Sequence, residues 1–210
     1  MPAKIVLATH NQGKLREFRE LLRGAIDGLD VETQVIDAGR AGAPDVVEDG
    51  VTFAENSLLK ARAVAEATGL IAIADDSGLA VDVLGGAPGI FSARWAGKHG
   101  DDRANLDLLL AQLSDISDEH RTARFVCAAS LATPDGRQAV EHGELVGTLL
   151  REPRGEAGFG YDPIMAAQGF TGEYSGKSCA EVPPHVKNAI SHRAQALTKL
   201  IPHLQAVLAD

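Results

Sequence analysis

Short apolar runs alternate with helical patterns in the first third of the chain, and this alternation constrains the fold most strongly. The run KIVLAT (4–9) has the β-rich composition of a buried strand, and KLREFRELL (14–22) places apolar residues at helical spacing. The pattern repeats with an alanine-rich helix over TFAENSLLKARAVAEATG (52–69) and a buried strand over LIAIA (70–74). Such alternation predicts an α/β fold in which helices cover a mixed β-sheet.

The later part of the chain adds a hairpin and a terminal helix. A helical pattern around NLDLLLAQL (105–113) precedes RFVCAASLATPDGRQAVEHGELVGTLL (124–150), which reads as two strands joined by the turn TPDG. The last helix is predicted over NAISHRAQALTKLIPHLQAVL (188–208), with Pro202 as a kink or break. No repeat or linker interrupts the sequence, so we expect one domain over residues 1–210.

The charge balance excludes some classes of partner. The chain of 210 residues carries a net charge of −9, which argues against non-specific binding to nucleic acid or to anionic membranes, since both need a basic surface. Cys127 and Cys179 lack the spacing of a zinc or redox motif, and no apolar run approaches the ~20 residues of a membrane span. A cytoplasmic protein is therefore expected, with neither nucleic acid nor membrane as a partner.

Two adjacent carboxylates, Asp75 and Asp76, follow the predicted strand over 70–74, and we expect them at its end. Neighbouring carboxylates repel each other unless solvent, hydrogen bonds or a cation offset the charge, and a divalent ion with oxygen ligands is the usual solution near phosphates. A simpler alternative is a turn in which Asp76 or Ser77 bonds backbone N–H groups before Gly78.

The segment ATHNQGKLREF between the first strand and the first helix suits phosphate. It supplies backbone N–H groups and places Lys14 at a helix N-terminus, where partial positive charge accumulates. It is not a Walker A loop, because Leu15 stands where Ser or Thr would hold Mg²⁺. The alternative is an ordinary turn in which Asn11 and Gly13 serve the backbone.

Acidic and basic residues around the second helix have two interpretations. Glu55 lies three residues after Thr52, so a capping box explains it without a functional role. Asn56 and Lys60 share one helical face, without a partner charge at that spacing. Glu48, in the preceding loop, is either part of a metal site or a surface charge.

The segment EAGFGYDPIM combines two aromatic residues, Phe159 and Tyr161, with flanking glycines and Asp162. This group suits stacking on a flat ring and hydrogen bonding to its edge. The alternative is a glycine-rich turn whose aromatic side chains enter the core.

The segment AISHRAQAL places His192 and Arg193 in the first turn of the last helix if Ser191 caps it, and Lys187 lies just upstream. Cations at this position oppose the helix dipole unless an anion compensates them. A bound ligand is one candidate for that anion, and an exposed basic turn is the alternative.

Five segments, taken in order, resemble the inosine triphosphate pyrophosphatase family and together cover nearly the whole chain. They are LATHNQGKLREF, DGVTFAENSLLKARA, IADDSGLAVDVLGGAPGIFSARWAG, REPRGEAGFGYDPIM and KNAISHRAQAL. The resemblance implies an elongated α/β fold, with a central mixed β-sheet flanked by helices and two lobes with a nucleotide cleft between them. It also implies Mg²⁺ dependence and a homodimer. The implied reaction is attack of water on the α-phosphorus of a deaminated purine nucleotide (ITP, dITP or XTP), which gives the monophosphate and pyrophosphate and cleanses the nucleotide pool.

The resemblance also assigns roles to residues of this chain. The triphosphate loop falls on Thr9, His10, Asn11, Gln12, Gly13 and Lys14, with Lys60 reaching the same phosphates. Asp76 takes the role of general base, Ser77 contacts the substrate, and Mg²⁺ is held by Asp76 and Glu48 with Glu55 or Asp75. The base pocket comprises Phe159, Gly160, Tyr161, Asp162, Lys187, His192 and Arg193. Donors aimed at a 6-oxo group would select inosine and xanthosine over adenosine.

Two rival functions use the same residues differently. A non-catalytic nucleotide sensor would need the binding residues without the base Asp76. An aspartyl-phosphate phosphatase would use a covalent aspartate, but Asp75 and Asp76 are adjacent and lack the Asp-x-Asp spacing that such an enzyme needs.

Overall fold

A computed structural model describes residues 2–209 and contains one six-stranded sheet in the order β2-β1-β3-β4-β5-β6. The strands are β1 (Ile5–Leu7), β2 (Val35–Asp37), β3 (Ile71–Val81), β4 (Thr122–Ala132), β5 (Gln138–Leu149) and β6 (Met165–Ala167). Strand β1 pairs in parallel with both β2 and β3, whereas β5 and β6 are antiparallel. The predicted mixed α/β sheet is therefore confirmed.

Helices connect most of the strands and form the C-terminal end of the described chain. They are α1 (Gln12–Leu22), α2 (Val31–Gln34), α3 (Ala38–Ala41), α4 (Phe53–Thr68), α5 (Asp102–Gln112), α6 (Pro184–Ile190) and α7 (His192–Ala209). None of the helices within residues 2–209 has the length and apolar character needed to cross a bilayer.

The two long helices of the first third end where their sequences predict. Asn11 caps α1, and the helix buries Leu15, Phe18 and Leu22 at the spacing of one helical face. Helix α4 begins with a complete capping box between Thr52 and Glu55 and ends at Gly69, whose φ of 68° is the left-handed conformation that glycine adopts without strain.

The position of the paired aspartates in β3 differs from the prediction. The strand does not end at residue 74 but continues through Asp75 and Asp76 to Val81, so both carboxylates lie within it. Apolar periodicity alone misplaced this end, because Asp75 has ionic partners from distant parts of the chain and remains in the strand although it is polar. Elements inside the predicted connection 24–50 were also missed, namely β2 and the one-turn helices α2 and α3.

The hairpin and the terminal helices are close to their predictions. The turn TPDG joins β4 to β5, with Thr133 N–H donating to Arg137 O at 3.0 Å. The terminal helical segment is divided at Ser191, which separates α6 from α7, whereas α7 runs through Pro202 without a break.

The chain packs as two compact units, each assembled from separate segments. The first unit comprises the residues up to Asp76 together with Cys127–His142 and Arg193 onward, and the second comprises Ser77–Val126 and Gly143–His192. Strands β3, β4 and β5 each contribute residues to both units. A single domain over residues 1–210 stays a prediction.

Each unit has its own buried apolar core. In the first unit, α1 and α7 pack with residues of β1 and β4, and α4 packs on a smaller alanine-rich cluster. In the second unit, α5 packs with residues of β4, β5 and β6.

Candidate active site

Parallel pairing in the first unit brings three strands together beside the segment ATHNQGK. Leu7 of β1 is in register with Ile73 of β3 and with Asp37 of β2. The backbone continues this pairing beyond β1, since Ala8 N–H donates to Ile73 O at 2.7 Å and Ala38 N–H donates to Thr9 O at 3.1 Å. Parallel strands end at the same edge of a sheet, so the loop that begins at Thr9 lies next to Asp75.

The loop is held by its own side chains. Asn11 Oδ1 accepts from the N–H groups of Gly13 at 2.8 Å and Lys14 at 3.2 Å, and Asn11 N–H donates to Thr9 Oγ1 at 3.2 Å. Gln12 Nε2 donates to Asp37 at 2.7 Å. The predicted role of Asn11 in the backbone turn is therefore confirmed, since its side chain caps the N-terminus of α1.

A pocket of about 450 Å³ opens beside this loop, within the size range of ligand sites. This first-unit pocket is lined by Ala8, Thr9, His10, Lys14, Ala38, Pro44, Asp45, Val46, Glu48, Lys60, Val64 and Asp75. Two lysines and two carboxylates that the sequence singled out thus share one cavity. His10 Nε2 lies 3.4 Å from Asp45, on the loop before α4.

Asp75 is a buried carboxylate between two cations. Lys14 Nζ lies 2.9 and 3.0 Å from its oxygens, and Arg193 Nε lies 3.1 Å from Oδ2. Burial opposes the charge, but Lys14 and Arg193 outweigh it, so the pKa of Asp75 lies far below its ordinary value. Asp75 is therefore a permanent anion that fixes the two cations.

Arg193, at the start of α7, has protein partners for its charge. Besides Asp75, its Nη1 lies 3.5 Å from Glu17 of α1, and its side chain is 11% exposed. The anion that the helix dipole requires here is thus supplied by the first unit itself rather than by a ligand. These contacts place Arg193 beside Asp75, and its assignment to the base pocket stays a prediction.

Asp76 has a different environment from its neighbour. Lys60 Nζ lies 3.1 Å from Glu48 and 4.0 Å from Asp76. Burial raises the pKa of Asp76, and the nearby Glu48 carboxylate adds to this, against the opposing effects of Lys60 and a hydrogen bond from Asn56. Asp76 is therefore a stronger proton acceptor than an ordinary aspartate.

The loop that carries Glu48 is attached to α4 by Asn56. Gly50 N–H donates to Asn56 Oδ1 at 2.8 Å, and a Cβ atom at Gly50 would lie 2.7 Å from that oxygen. Asn56 is buried and also reaches Asp76, so it connects the Glu48 loop to β3. Glu55 Oε2 accepts from the backbone N–H groups of Val51 and Thr52, which confirms its capping role.

The second unit contains another buried ion pair. Lys187 Nζ lies 2.7 and 2.6 Å from the oxygens of Asp162, whose side chain is 2% exposed. Asp162 Oδ2 also accepts from Phe159 N–H at 3.1 Å. Gly158 has a φ of 78°, and a Cβ there would overlap Asp162, so only glycine fits at this point of the loop.

The two aromatic residues of EAGFGYDPIM have separate fates. Tyr161 is buried and donates its hydroxyl to Ser92 O at 2.9 Å, so the core reading holds for this residue. Phe159 is 63% exposed, and Lys187 Nζ lies 5.2 Å from the centre of its ring. Gly160 N–H donates to Asp102 of α5 at 2.8 Å, which fixes the loop between them.

Lys187 and His192 are placed around one further ring, that of Phe125 on β4. The imidazole of His192 stacks on it with ring centres 5.2 Å apart and planes inclined by 23°. Lys187 Nζ lies 5.8 Å from the same ring. We call Phe125, Phe159, Asp162, Lys187 and His192 the aromatic cluster.

The comparisons with known proteins show the family and the fold of this chain. The model of the Ham1 family matches residues 5–203. The chain belongs to the Ham1 family. It is similar to solved Ham1 proteins from Coxiella burnetii, with 42% identity, a TM-score of 0.84, and 97% of this chain and 99% of that chain covered, and from Staphylococcus aureus, with 38% identity, a TM-score of 0.83 and the same coverage.

A curated relative of this Ham1 family chain is the dITP/XTP pyrophosphatase of Streptomyces coelicolor, which is 58% identical over 98% of both chains. The dITP/XTP pyrophosphatase of Bifidobacterium animalis subsp. lactis is 49% identical over 97% of this chain and 98% of its own length.

Several residues that support the candidate site were not predicted from the sequence. Glu17 supports Arg193, and Phe125 supports His192 and Lys187. Ser57 Oγ lies 3.1 Å from Ala74 O and 2.7 Å from Ser130 Oγ, and all three residues are buried. A sequence signal existed for Ser57 alone, since a hydroxyl on the alanine-rich side of a buried helix requires a partner.

Proposed function

We propose that this protein is a nucleoside triphosphate pyrophosphatase that hydrolyses deaminated purine nucleotides such as ITP, dITP and XTP to the monophosphate and pyrophosphate. The observation that carries the proposal is the first-unit pocket, where Lys14 and Lys60 face a cavity that also contains Glu48 and adjoins Asp76. Two relatives that match nearly the whole chain bear the name dITP/XTP pyrophosphatase.

The two lysines and the loop bind the triphosphate in this proposal. Lys14 is held at the start of α1 by Asp75, and Lys60 extends from α4 into the same pocket. A triphosphate would compete with the carboxylates for these ammonium groups and gain the partial charge of the α1 N-terminus. Thr9 and His10 supply further polar groups along the pocket wall.

Asp76 is the proposed general base. Its carboxylate removes a proton from water as the water oxygen attacks the α-phosphorus, and the bond from that phosphorus to the bridging oxygen breaks. Pyrophosphate leaves with the electron pair of the broken bond, and the lysines offset the charge that develops on the phosphate oxygens. The raised pKa of Asp76, caused mainly by burial, favours this proton transfer.

A magnesium ion fits the donor set at Glu48 and Asp76. Within residues 2–209, no group of three or more acidic, histidine or cysteine side chains converges to bind a metal. Mg²⁺ characteristically uses one or two carboxylates and completes its coordination with water and substrate phosphates. The repulsion between Glu48 and Asp76 that raises the pKa of Asp76 is the kind of strain a cation relieves. When bound, Mg²⁺ would add positive charge at the phosphates. Glu55 is not included in this donor set, because its carboxylate caps helix α4.

The aromatic cluster is the proposed base site. Phe159 offers an exposed ring on which a purine can stack, while Lys187 and His192 supply the polar edge. An oxygen at purine position 6 accepts from such donors, whereas the amino group of adenine does not. We also propose that Ser77 contacts the substrate, and that the protein works in the cytoplasm as a homodimer.

Product analysis tests this function directly. Purified protein with Mg²⁺ is incubated separately with ITP, XTP, GTP and ATP, and the products are resolved by ion-exchange chromatography. We expect monophosphate and pyrophosphate from ITP and XTP, with little product from ATP or GTP. Diphosphate and phosphate would move the attack to the γ-phosphorus. Binding without turnover would instead support a nucleotide sensor.

The variant Asp76→Asn tests the assignment of the base. The amide keeps the size of the side chain but cannot accept the proton of water, so we expect turnover to fall by at least about a hundredfold while ITP still binds. Near-normal turnover would exclude Asp76 as the base. Asp115→Asn serves as a control, since Asp115 is an exposed residue of the second unit, whereas the pocket belongs to the first.

A further inference from the structure

Phe125 contacts two members of the proposed base site, although no sequence motif singles it out. Its ring is 8% exposed and forms part of the core of the second unit. The imidazole of His192 stacks on the Phe125 ring, and the ammonium of Lys187 lies 5.8 Å from the centre of that ring. A purely structural phenylalanine would be surrounded by apolar side chains, whereas this one carries two polar groups.

The stacking restricts the plane of the His192 ring. Offset stacks of aromatic rings have a preferred distance and inclination, and the observed 5.2 Å and 23° lie in that range. His192 is the first residue of α7 and is buried. Its imidazole edge therefore has a direction that depends on the ring beneath it, and recognition of a base edge by hydrogen bonds depends on such a direction.

Lys187 is restricted in a similar way. Its side chain has four rotatable torsions, and two oxygens of Asp162 fix the ammonium at 2.7 and 2.6 Å. The rings of Phe125 and Phe159 lie on the ammonium at 5.8 and 5.2 Å, both within the range of cation–π attraction. Since Phe159 is exposed and Phe125 is buried, Phe125 is the fixed member of this pair of rings.

We propose that Phe125 is a positioning residue that supports recognition of the base by orienting His192 and Lys187. This inference rests on the proposed function, because it gives Phe125 a role in the base site of that function. A side chain that replaces its volume but not its ring leaves the core filled and removes the stacking and the cation–π contact. Recognition of the base is then weakened, while recognition of the triphosphate is unchanged.

The test compares Phe125→Leu with Phe125→Tyr, which keeps the ring, and with Phe170→Leu as a matched control. Phe170 is a buried phenylalanine in the core of the same unit. For each variant, kcat and KM are measured with ITP, and the inhibition constant is measured for inorganic tripolyphosphate, which has the phosphates but no base. Thermal unfolding shows whether each variant is folded.

For Phe125→Leu we expect KM for ITP to rise about three- to tenfold, the size of a lost aromatic contact, with kcat within about twofold of the parent. The inhibition constant for tripolyphosphate should stay unchanged in Phe125→Leu. Phe125→Tyr should keep KM for ITP at the value of the parent protein. Phe170→Leu should leave both KM for ITP and the inhibition constant for tripolyphosphate unchanged. An equal rise for ITP and tripolyphosphate, or the same rise in Phe125→Tyr or Phe170→Leu, overturns the proposal. Failure of the parent protein to hydrolyse ITP refutes the proposed function instead.

Discussion

Each unit of the molecule contains a buried lysine–aspartate pair, and the two pairs have nearly the same geometry in different surroundings. Lys14 and Asp75 form the pair of the first unit, and Lys187 and Asp162 form that of the second. In both, one ammonium lies within hydrogen-bonding distance of both carboxylate oxygens. The carboxylates are 5% and 2% exposed, so neither pair depends on solvent.

The neighbouring groups of the two ion pairs differ, and so does the kind of ligand that each pair suits. The first has a second cation, Arg193, and lies in a pocket with Lys60. The second has aromatic rings and a backbone N–H as its further neighbours. An excess of cations suits phosphate, and rings beside a single fixed cation suit a flat heterocycle with a polar edge. The same ion pair thus serves two kinds of recognition.

The largest expected effect comes from breaking the first pair with Asp75→Asn. Lys14 and Arg193 then lose the carboxylate that both of them contact in the interior. Removing one partner from a buried ion pair costs about 3 to 5 kcal/mol, and we expect the upper end because two cations are affected. Urea unfolding monitored by circular dichroism measures the change.

Asp45→Asn is the control for this experiment, since the Asp45 side chain is 98% exposed. We expect it to change the free energy of unfolding by less than about 0.5 kcal/mol. A similar small change for Asp75→Asn would contradict the view that its carboxylate anchors both cations.

A smaller effect is expected from breaking the second pair with Asp162→Asn. Only Lys187 loses an ionic partner, and the amide oxygen still accepts from Phe159 N–H, so we expect a loss of about 3 kcal/mol. Urea unfolding gives the stability, and steady-state kinetics with ITP gives the function. KM for ITP should rise by a larger factor than the inhibition constant for tripolyphosphate, because this pair belongs to the proposed base site. Glu119→Gln, at an exposed carboxylate of the same unit, should change neither quantity.

The acid dependence of stability sharpens the comparison within the first unit, where Asp75 and Asp76 shift in opposite directions. The lowered pKa of Asp75, set by Lys14 and Arg193 against burial, gives stability that is present above its unfolded pKa of about 3.9. That stability is lost as the pH falls toward the folded pKa. The raised pKa of Asp76, due first to burial, has the opposite sign and destabilises the folded state above its own folded pKa.

We therefore expect Asp75→Asn to flatten the loss of stability below about pH 4, and Asp76→Asn to raise the free energy of unfolding near neutral pH. Urea midpoints measured between pH 3 and 7 for both variants and the parent give the two slopes. Equal pH dependence in all three proteins would show that neither carboxyl is shifted.

The smallest expected effect concerns Cys179 in the second unit. Burial raises the pKa of its thiol to about 12, with a further contribution from Asp162. A thiol reacts as the thiolate, so native protein should resist iodoacetamide at pH 8 and become labelled only in urea. Cys127, which is also buried, provides a second thiol that should behave in the same way. Rapid labelling of Cys179 in native protein would contradict its burial.

The sequence predicted those parts of the fold that depend on local signals. Helix α4 has a capping box and a terminal glycine, and both ends lie where these residues indicate. The turn between β4 and β5 was likewise readable from its TPDG motif. In contrast, β2 (VID) and β6 (MAA) have three residues each and, unlike the equally short β1, are not part of a longer β-rich apolar run such as KIVLAT, so the sequence does not distinguish them from a loop.

The sequence identified most of the candidate site but not the partners within it. Lys14, Asp75, Lys187 and Asp162 were each selected by chemistry or by family resemblance, yet nothing local indicates that they pair across 61 and 25 residues. The ionic partner of Arg193 was likewise not predicted, because Asp75 lies 118 residues earlier in the chain. Long-range pairing is a property of topology, which one sequence does not display.

The segmented path of the first unit has a consequence for synthesis of the chain. Lys14 and Asp75 leave the ribosome early, but Arg193 emerges 118 residues after Asp75 and opens the last segment of that unit. A chain that stops before α7 retains Asp75 and Lys14 but lacks the guanidinium of Arg193, the second cation that contacts Asp75. It also lacks the helix that completes the core of the first unit. Truncated products are therefore expected to be unfolded and open to proteolysis, so the proposed phosphate site forms only on chains that have been translated almost to the end.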